Sequence, residues 1–208
     1  AALYLAYRAA FEITGNRIVV MPDLTFGATA NAAARAGLTV TTEDVDPETW
    51  TVRAWTESGS YLYTPVHLFG NVATVPTERA IVDAAEALGT DEVGEHGWIV
   101  CFSFNGSKNL GAGEGGLLLT DDDRVYDIAK LLWDQGREGK SFAHKAIGLN
   151  ARPNPIGAAL LYGQLRRIHE LANKKQKINA WYWDCLGGRL VFQGPGPSDY
   201  VVPWLTNV

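Results

Sequence analysis

The apolar run Trp98-Ile99-Val100-Cys101-Phe102 breaks at Ser103 into a polar loop that carries one lysine, Lys108, and then into glycines as far as Gly116. A short apolar run bounded by turn residues reads as a buried strand, and its abrupt end brings the lysine to the mouth of a site. A lysine on a helix face normally sits among other charges, whereas this one is framed by Phe104, Leu110 and glycines. The plain alternative is a solvated loop lysine, and the local sequence leaves both readings open.

A buried strand needs neighbours, and the preceding chain supplies them. Residues 1–11 read as a helix already under way, with no capping residue in front of it, so the chain is expected to start inside a domain. Arg17–Met21 reads as a strand, Ala28–Ala36 as an alanine-rich helix stopped by Gly37, and Leu38–Thr42 as a second strand. Strand, helix and strand in succession predict an α/β fold. Tyr61–Phe69 is expected to be a strand ending at Gly70, and Ala80–Asp83 another that ends on a carboxylate. An acid at the end of an apolar strand in an α/β sheet points to a site, because ligands collect there. The alternative is that Asp83 caps a helix running through the alanines behind it.

Downstream, Gly116–Thr120 reads as a strand and Asp121-Asp122-Asp123 as the opening of a helix that reaches Trp133. Acids in a first helical turn complement the helix dipole, which explains the three aspartates better than a metal cluster does. His144 has no partner at metal-ligand spacing and reads as a loop or interface histidine. Pro155–Leu186 is strongly helical, and its Lys174, Lys175 and Lys177 form a solvated face. Arg189–Phe192 and Tyr200–Leu205 read as strands separated by the loop Gly194–Pro197. The boundary is expected at Gly187 and Gly188, dividing the chain into residues 1–187 and 188–208.

Composition excludes several classes. A net charge of −5 and a pI near 5.4 leave no basic footprint for nucleic acid. The apolar runs are too short to span a bilayer. Cys101 and Cys185 have no metal-ligand spacing and do not form a disulfide framework, so a reducing cytoplasm is expected.

Five stretches in order, PDLTFGATANAA from Pro22, PVHLFG from Pro65, VDAAEALG from Val82, FSFNGSKNLGAGEGG from Phe102 and GLNARPNPIGAALLYGQL from Gly148, resemble the DegT/DnrJ/StrS family of sugar aminotransferases. The resemblance implies an aspartate-aminotransferase (type I) fold. That is a three-layer α/β/α large domain with a mostly parallel central sheet, here incomplete at its N-terminus, followed by the start of a small α+β domain. It implies pyridoxal 5'-phosphate as cofactor, with Lys108 as the lysine joined to it and Asp83 as the carboxylate on its pyridine nitrogen. A protonated pyridinium is the better electron sink, and a neighbouring carboxylate keeps that proton in place. Phe26 then matches the aromatic that lies against the ring, and Ser103 the hydroxyl that donates to the phosphate. Glu86 occupies the position near the ring hydroxyl where relatives commonly carry glutamine or histidine, and a second negative charge there is a departure. Asn150 matches an asparagine that reaches the phosphate of a neighbouring subunit, which implies a homodimer.

The implied reaction moves an amino group from glutamate or glutamine to a keto-sugar, in most relatives a nucleotide-linked deoxyhexose, with Lys108 as proton carrier. His67 in PVHLFG could approach the substrate, but it reads better as a strand-end histidine held by structure. Relatives also place a Gly-Thr or Gly-Ser pair ahead of the first helix to hold the phosphate, where Ala1 stands first here. Residues 71–79 are too short for the helix that relatives carry between these strands. The other readings are a type I enzyme of another reaction class, and a regulatory homologue or truncated fragment without catalysis.

Overall fold

The computed structural model describes residues 1–56, 58–139, 142–194, 196–198 and 200–207. Helix α1 (Ala2–Thr14) is rich in alanine and leucine and ends on Gly15, whose φ of 72° closes the last turn in the left-handed region. It buries Leu5, Ala6, Tyr7, Ala9 and Ala10 along one stripe, and this stripe lies on the sheet.

Among the described residues six strands follow: β1 (Ile18–Pro22), β2 (Thr39–Glu43), β3 (Tyr61–Tyr63), β4 (Ile81–Asp83), β5 (Ile99–Ser103) and β6 (Gly116–Leu119). β1 pairs parallel with β2 on one side and β3 on the other, and β4 pairs parallel with β5. β6 closes the edge antiparallel to β5. A parallel bridge between Val66 and Asp83 joins the two ladders into the order β2-β1-β3-β4-β5-β6. The α/β class with a mostly parallel sheet is therefore as the sequence predicts.

Strand alternation sorts the core into two faces. Val19, Met21, Ile81, Ile99 and Cys101 pack against α1, with α2 (Ala28–Arg35) and α3 (Asp123–Trp133) beside it. Val20, Tyr63, Val82, Val100 and Phe102 point the other way, under Trp55, Val75, Leu88 and Val93 of irregular segments. At the opening of α3 the side chain of Asp122 accepts the Arg124 backbone N–H and caps the helix, with Asp123 in its first turn.

Four expectations about elements change. The strand expected over Tyr61–Phe69 stops at Tyr63, because Pro65 has no N–H for a ladder; the chain turns through a 3₁₀ helix at Leu68–Gly70. No helix follows Asp83, so it caps none. The helix over Pro155–Leu186 is broken at Arg166 and Arg167 into α4 (Pro155–Leu165) and α5 (Ile168–Leu186). Arg189–Phe192 and Tyr200–Leu205 form no strand, because no sheet edge meets them. Phe192 instead stacks on Trp183 with ring centroids 4.6 Å apart, and residues 200–204 dock back onto the large body. Of the loop expected at Gly194–Pro197, Pro195 lies outside the described residues.

Candidate active site

The segment after β1 and the carboxyl ends of β4 and β5 open onto one cavity of about 930 Å³, the place where ligands bind in α/β sheets. Five of the six residues singled out in the sequence line it: Phe26, Asp83, Glu86, Ser103 and Lys108. Asn150 does not. It is exposed and forms an antiparallel bridge with Asp134, next to Trp133 and Ala151 of the cavity wall.

Asp83 is the last residue of β4 and is only 5% exposed. Both of its hydrogen-bond donors are neutral: the Thr29 hydroxyl donates to Oδ2 at 2.7 Å and the Ala85 N–H to Oδ1 at 3.1 Å. Burial pushes its carboxyl above the usual range, and these two bonds and the Lys108 charge only partly oppose that. A buried anion held by neutral donors invites a cation from the cavity side. The sequence reading missed Thr29. It sits one turn beyond Thr25, whose hydroxyl lies 2.8 Å away, and this i, i+4 pair at the start of α2 was the available signal.

Lys108 stands on the loop after β5, where its backbone N–H donates to Asn105 O in a tight turn. The Ser103 hydroxyl accepts the Asn105 N–H at 3.3 Å and so caps the end of β5. Lys108 Nζ donates to Glu86 Oε1 at 3.0 Å, and Glu86 Oε2 accepts the Phe69 N–H at 2.9 Å. Both side chains are nearly buried, with 12% and 7% exposure. The negative charge of Glu86 is thus paired with Lys108 rather than left facing the cavity unbalanced.

Two further residues complete the walls. Phe26 is 71% exposed, so its ring packs against little of the protein and faces the cavity. His67 is buried at 4% exposure, and its Nδ1 accepts the Ala73 N–H at 3.0 Å. Burial lowers its pKa to about 4, so the ring is neutral near pH 7 and carries its proton on Nε2. Trp204, from the segment expected to open a second domain, also lines the cavity. Its contact with Lys108 spans a long sequence separation, and nothing local in the sequence announces it. Among the described residues, no group of three or more His, Cys, Asp or Glu side chains is placed to hold a metal ion.

The model of the DegT/DnrJ/EryC1/StrS aminotransferase family matches residues 1–196. The chain belongs to that family. A pleiotropic regulatory protein of Geobacillus stearothermophilus is 31% identical over 201 residues, covering 87% of this chain and 53% of the relative. The GDP-perosamine synthase of Caulobacter vibrioides is 31% identical over 200 residues, covering 87% of this chain and 54% of the relative. The crystal structure of a DegT/DnrJ/EryC1/StrS aminotransferase from Brucella abortus superposes with a TM-score of 0.79 at 23% identity, over 98% of this chain and 62% of that one, which shows the fold. The family member described by this chain spans about half the length of the curated relatives it matches.

Proposed function

We propose that this chain is the catalytic core of a pyridoxal-phosphate-dependent aminotransferase. It would transfer an amino group from glutamate or glutamine to a keto-sugar carried on a nucleotide. The observation that carries the reading is the placement of Asp83 and Lys108 on one cavity at the carboxyl ends of β4 and β5. The residues fit the cofactor: a buried carboxylate with only neutral donors suits a pyridinium, an unpacked Phe26 ring suits a flat heterocycle, and an amine suits an aldehyde. Bound there, pyridoxal phosphate supplies an electron sink for charge developing at the donor α-carbon.

The protein's own groups do the rest. Asp83, oriented by Thr29 and the Ala85 N–H, holds a proton on the ring nitrogen of its ligand. Lys108 would be joined to the cofactor aldehyde with loss of water when no amino donor is present, and its amine, once released, would take the proton from the donor α-carbon and deliver it to the cofactor C4′. Ser103 would donate to the phosphate, and Phe26 would supply an apolar face for the ring. Glu86 holds the Lys108 amine in place through its 3.0 Å contact. His67 stays neutral and fixes the turn at Leu68–Gly70 through Ala73.

The relative named GDP-perosamine synthase supports a nucleotide-linked keto-sugar as the acceptor. A homodimer belongs to the same reading. Asn150 lies outside its own cavity and is free to reach a partner's, and Ile156, Leu160 and Trp181 expose apolar surface on α4 and α5 for a second copy. We assign residues 1–187 to the cofactor-binding domain and 188–208 to the start of a small domain, and place the enzyme in the cytoplasm. Among the described residues no helix is long and apolar enough to cross a membrane.

The test is a half-reaction. The chain mixed with pyridoxal phosphate and glutamate or glutamine is expected to form the corresponding 2-oxo acid in an amount equal to the protein. Decarboxylated or racemised donor would instead favour another reaction class on this fold, and no change with either donor would favour a regulatory homologue, a reading that the Geobacillus relative's name supports.

A further inference from the structure

A lysine that carries a proton between two bonds to carbon needs a fixed place to wait while its amine is free. In the structure Lys108 Nζ lies 3.6 Å from the centre of the Trp204 ring while making its 3.0 Å bond to Glu86. A cation over an aromatic face within about 6 Å is attracted by the ring quadrupole, most strongly where water is kept away. With 12% exposure, this ammonium is in such a place.

Trp204 is itself held from several sides. Its backbone N–H donates to Phe69 O at 3.1 Å, and its indole N–H to Ser107 O at 2.8 Å. Its ring stacks on Phe69 with an interplanar angle of 15°. Two residues earlier, the Val202 N–H donates to the Thr90 hydroxyl at 2.9 Å. A Cβ at Gly70 would lie 2.7 Å from Val202 O, and Gly70 has a φ of 100°, so glycine is what lets this segment approach. Phe69 links both walls, because its N–H binds Glu86 while its ring and carbonyl bind Trp204.

We propose that Trp204 is a positioning residue for Lys108: with Glu86 it forms a cradle that receives the ammonium whenever the amine is free and presents it again to the reacting carbon. The cradle rests on the role given to Lys108 above. In that role no bond to carbon is made by Trp204; the ring only sets where the amine waits and how it is aimed.

The experiment compares Trp204→Phe with Trp204→Leu. Both lose the indole N–H, so the Ser107 bond cancels between them. Phenylalanine keeps a π-face, and leucine keeps an apolar cover without one. The chain without added cofactor is pulsed with acetic anhydride, and acetylation of Lys108 is read by peptide mass spectrometry against the exposed Lys177.

Leucine is expected to raise Lys108 labelling by about tenfold over the parent, with phenylalanine within about threefold. In a single turnover with glutamate, leucine is expected to lower the rate by about tenfold at saturation with half-saturation nearly unchanged, and phenylalanine to restore most of it. Equal labelling and equal rates in the two variants would overturn the cradle. Trp204→Met repeats the contrast if the leucine variant loosens the segment, with the buried thiol of Cys101 as the check on folding. A chain that forms no adduct with pyridoxal phosphate at Lys108 but keeps the labelling contrast would fail the functional reading, and with it the cradle's part in the reaction, and leave only the contact of Lys108 with Trp204. A chain that forms the adduct but shows no contrast would fail the cradle and leave the functional reading standing.

Discussion

At the end of β4 a carboxylate is buried between neutral donors, while at the start of α3 another is surrounded by every partner an aspartate can use. Asp83 has the Thr29 hydroxyl and the Ala85 N–H, and burial drives its pKa up. Asp122 accepts the backbone N–H of Arg124 and both arms of its guanidinium, as well as the Trp98 indole N–H, and hydrogen bonds hold its carboxyl well below the usual range. The same side chain is thus under-satisfied at one position and saturated at the other. Saturation favours the folded chain and leaves nothing over for a ligand. Under-satisfaction costs stability, and that cost is offset only when a cation enters the cavity.

The largest effect expected is on Lys108, which lines the same cavity as Asp83. Under the proposed function Lys108→Ala should lower turnover with glutamate by at least about 10³-fold, since it would remove both the covalent partner and the proton carrier. A residual rate near the parent's would take Lys108 out of the chemistry. Asp83→Asn should cost about 10²- to 10³-fold in kcat while KM changes far less, because the proton on the ring nitrogen matters most when charge develops. The same variant should unfold at equal or higher urea concentration at neutral pH. An aspartate whose folded pKa is raised costs stability as pH rises from its unfolded value through its folded one, and asparagine removes that cost. A less stable Asp83→Asn chain would mean that the carboxylate is better satisfied than its two neutral donors allow.

His67 gives a smaller, pH-dependent effect with a definite sign. Its pKa falls from 6.5 to about 4 on folding, so the unfolded chain binds the extra proton in that window. Its contribution is present above pH 6.5 and is lost as pH falls toward 4, amounting to about 3 kcal/mol in the limit. Asp83 acts in the opposite direction over the part of the window above its unfolded pKa, so the quantity to measure is the difference between the parent and His67→Gln. That difference should shrink as pH drops from 7 to 4, and a constant difference would show that the ring is not buried neutral. The smallest effect belongs to Asp122→Ala. Loss of the cap should lower Tm by a few degrees with turnover unchanged, and a loss of turnover would erase the contrast between the two aspartates.

The sequence made the strand ends legible because burial on both faces leaves short apolar runs with sharp polar stops. Asp83 and Ser103 stand at such stops, and the lysine loop behind Ser103 is bounded by glycines. The pairing of Glu86 with Lys108 was not legible, since it depends on where two loops pass each other after the β4–β5 ladder forms. Trp204 was misplaced for a related reason. Tyr200, Val201 and Val202 have the β-branched and aromatic character of a strand, but β-propensity needs an available edge, and here Thr90 and Phe69 capture the segment instead. The break between α4 and α5 at Arg166 likewise interrupts a helical pattern that runs on in composition.

The most direct measurement is to titrate the chain with pyridoxal phosphate, reduce with borohydride and map the pyridoxyl group by peptide mass spectrometry, in the parent and in Asp83→Asn. One label per chain on Lys108 is expected, with saturation of the parent at a lower cofactor concentration than of the Asp83→Asn chain. Label spread over exposed lysines such as Lys174 and Lys177, or identical titrations of the two proteins, would contradict the pairing of Lys108 with Asp83 across one site.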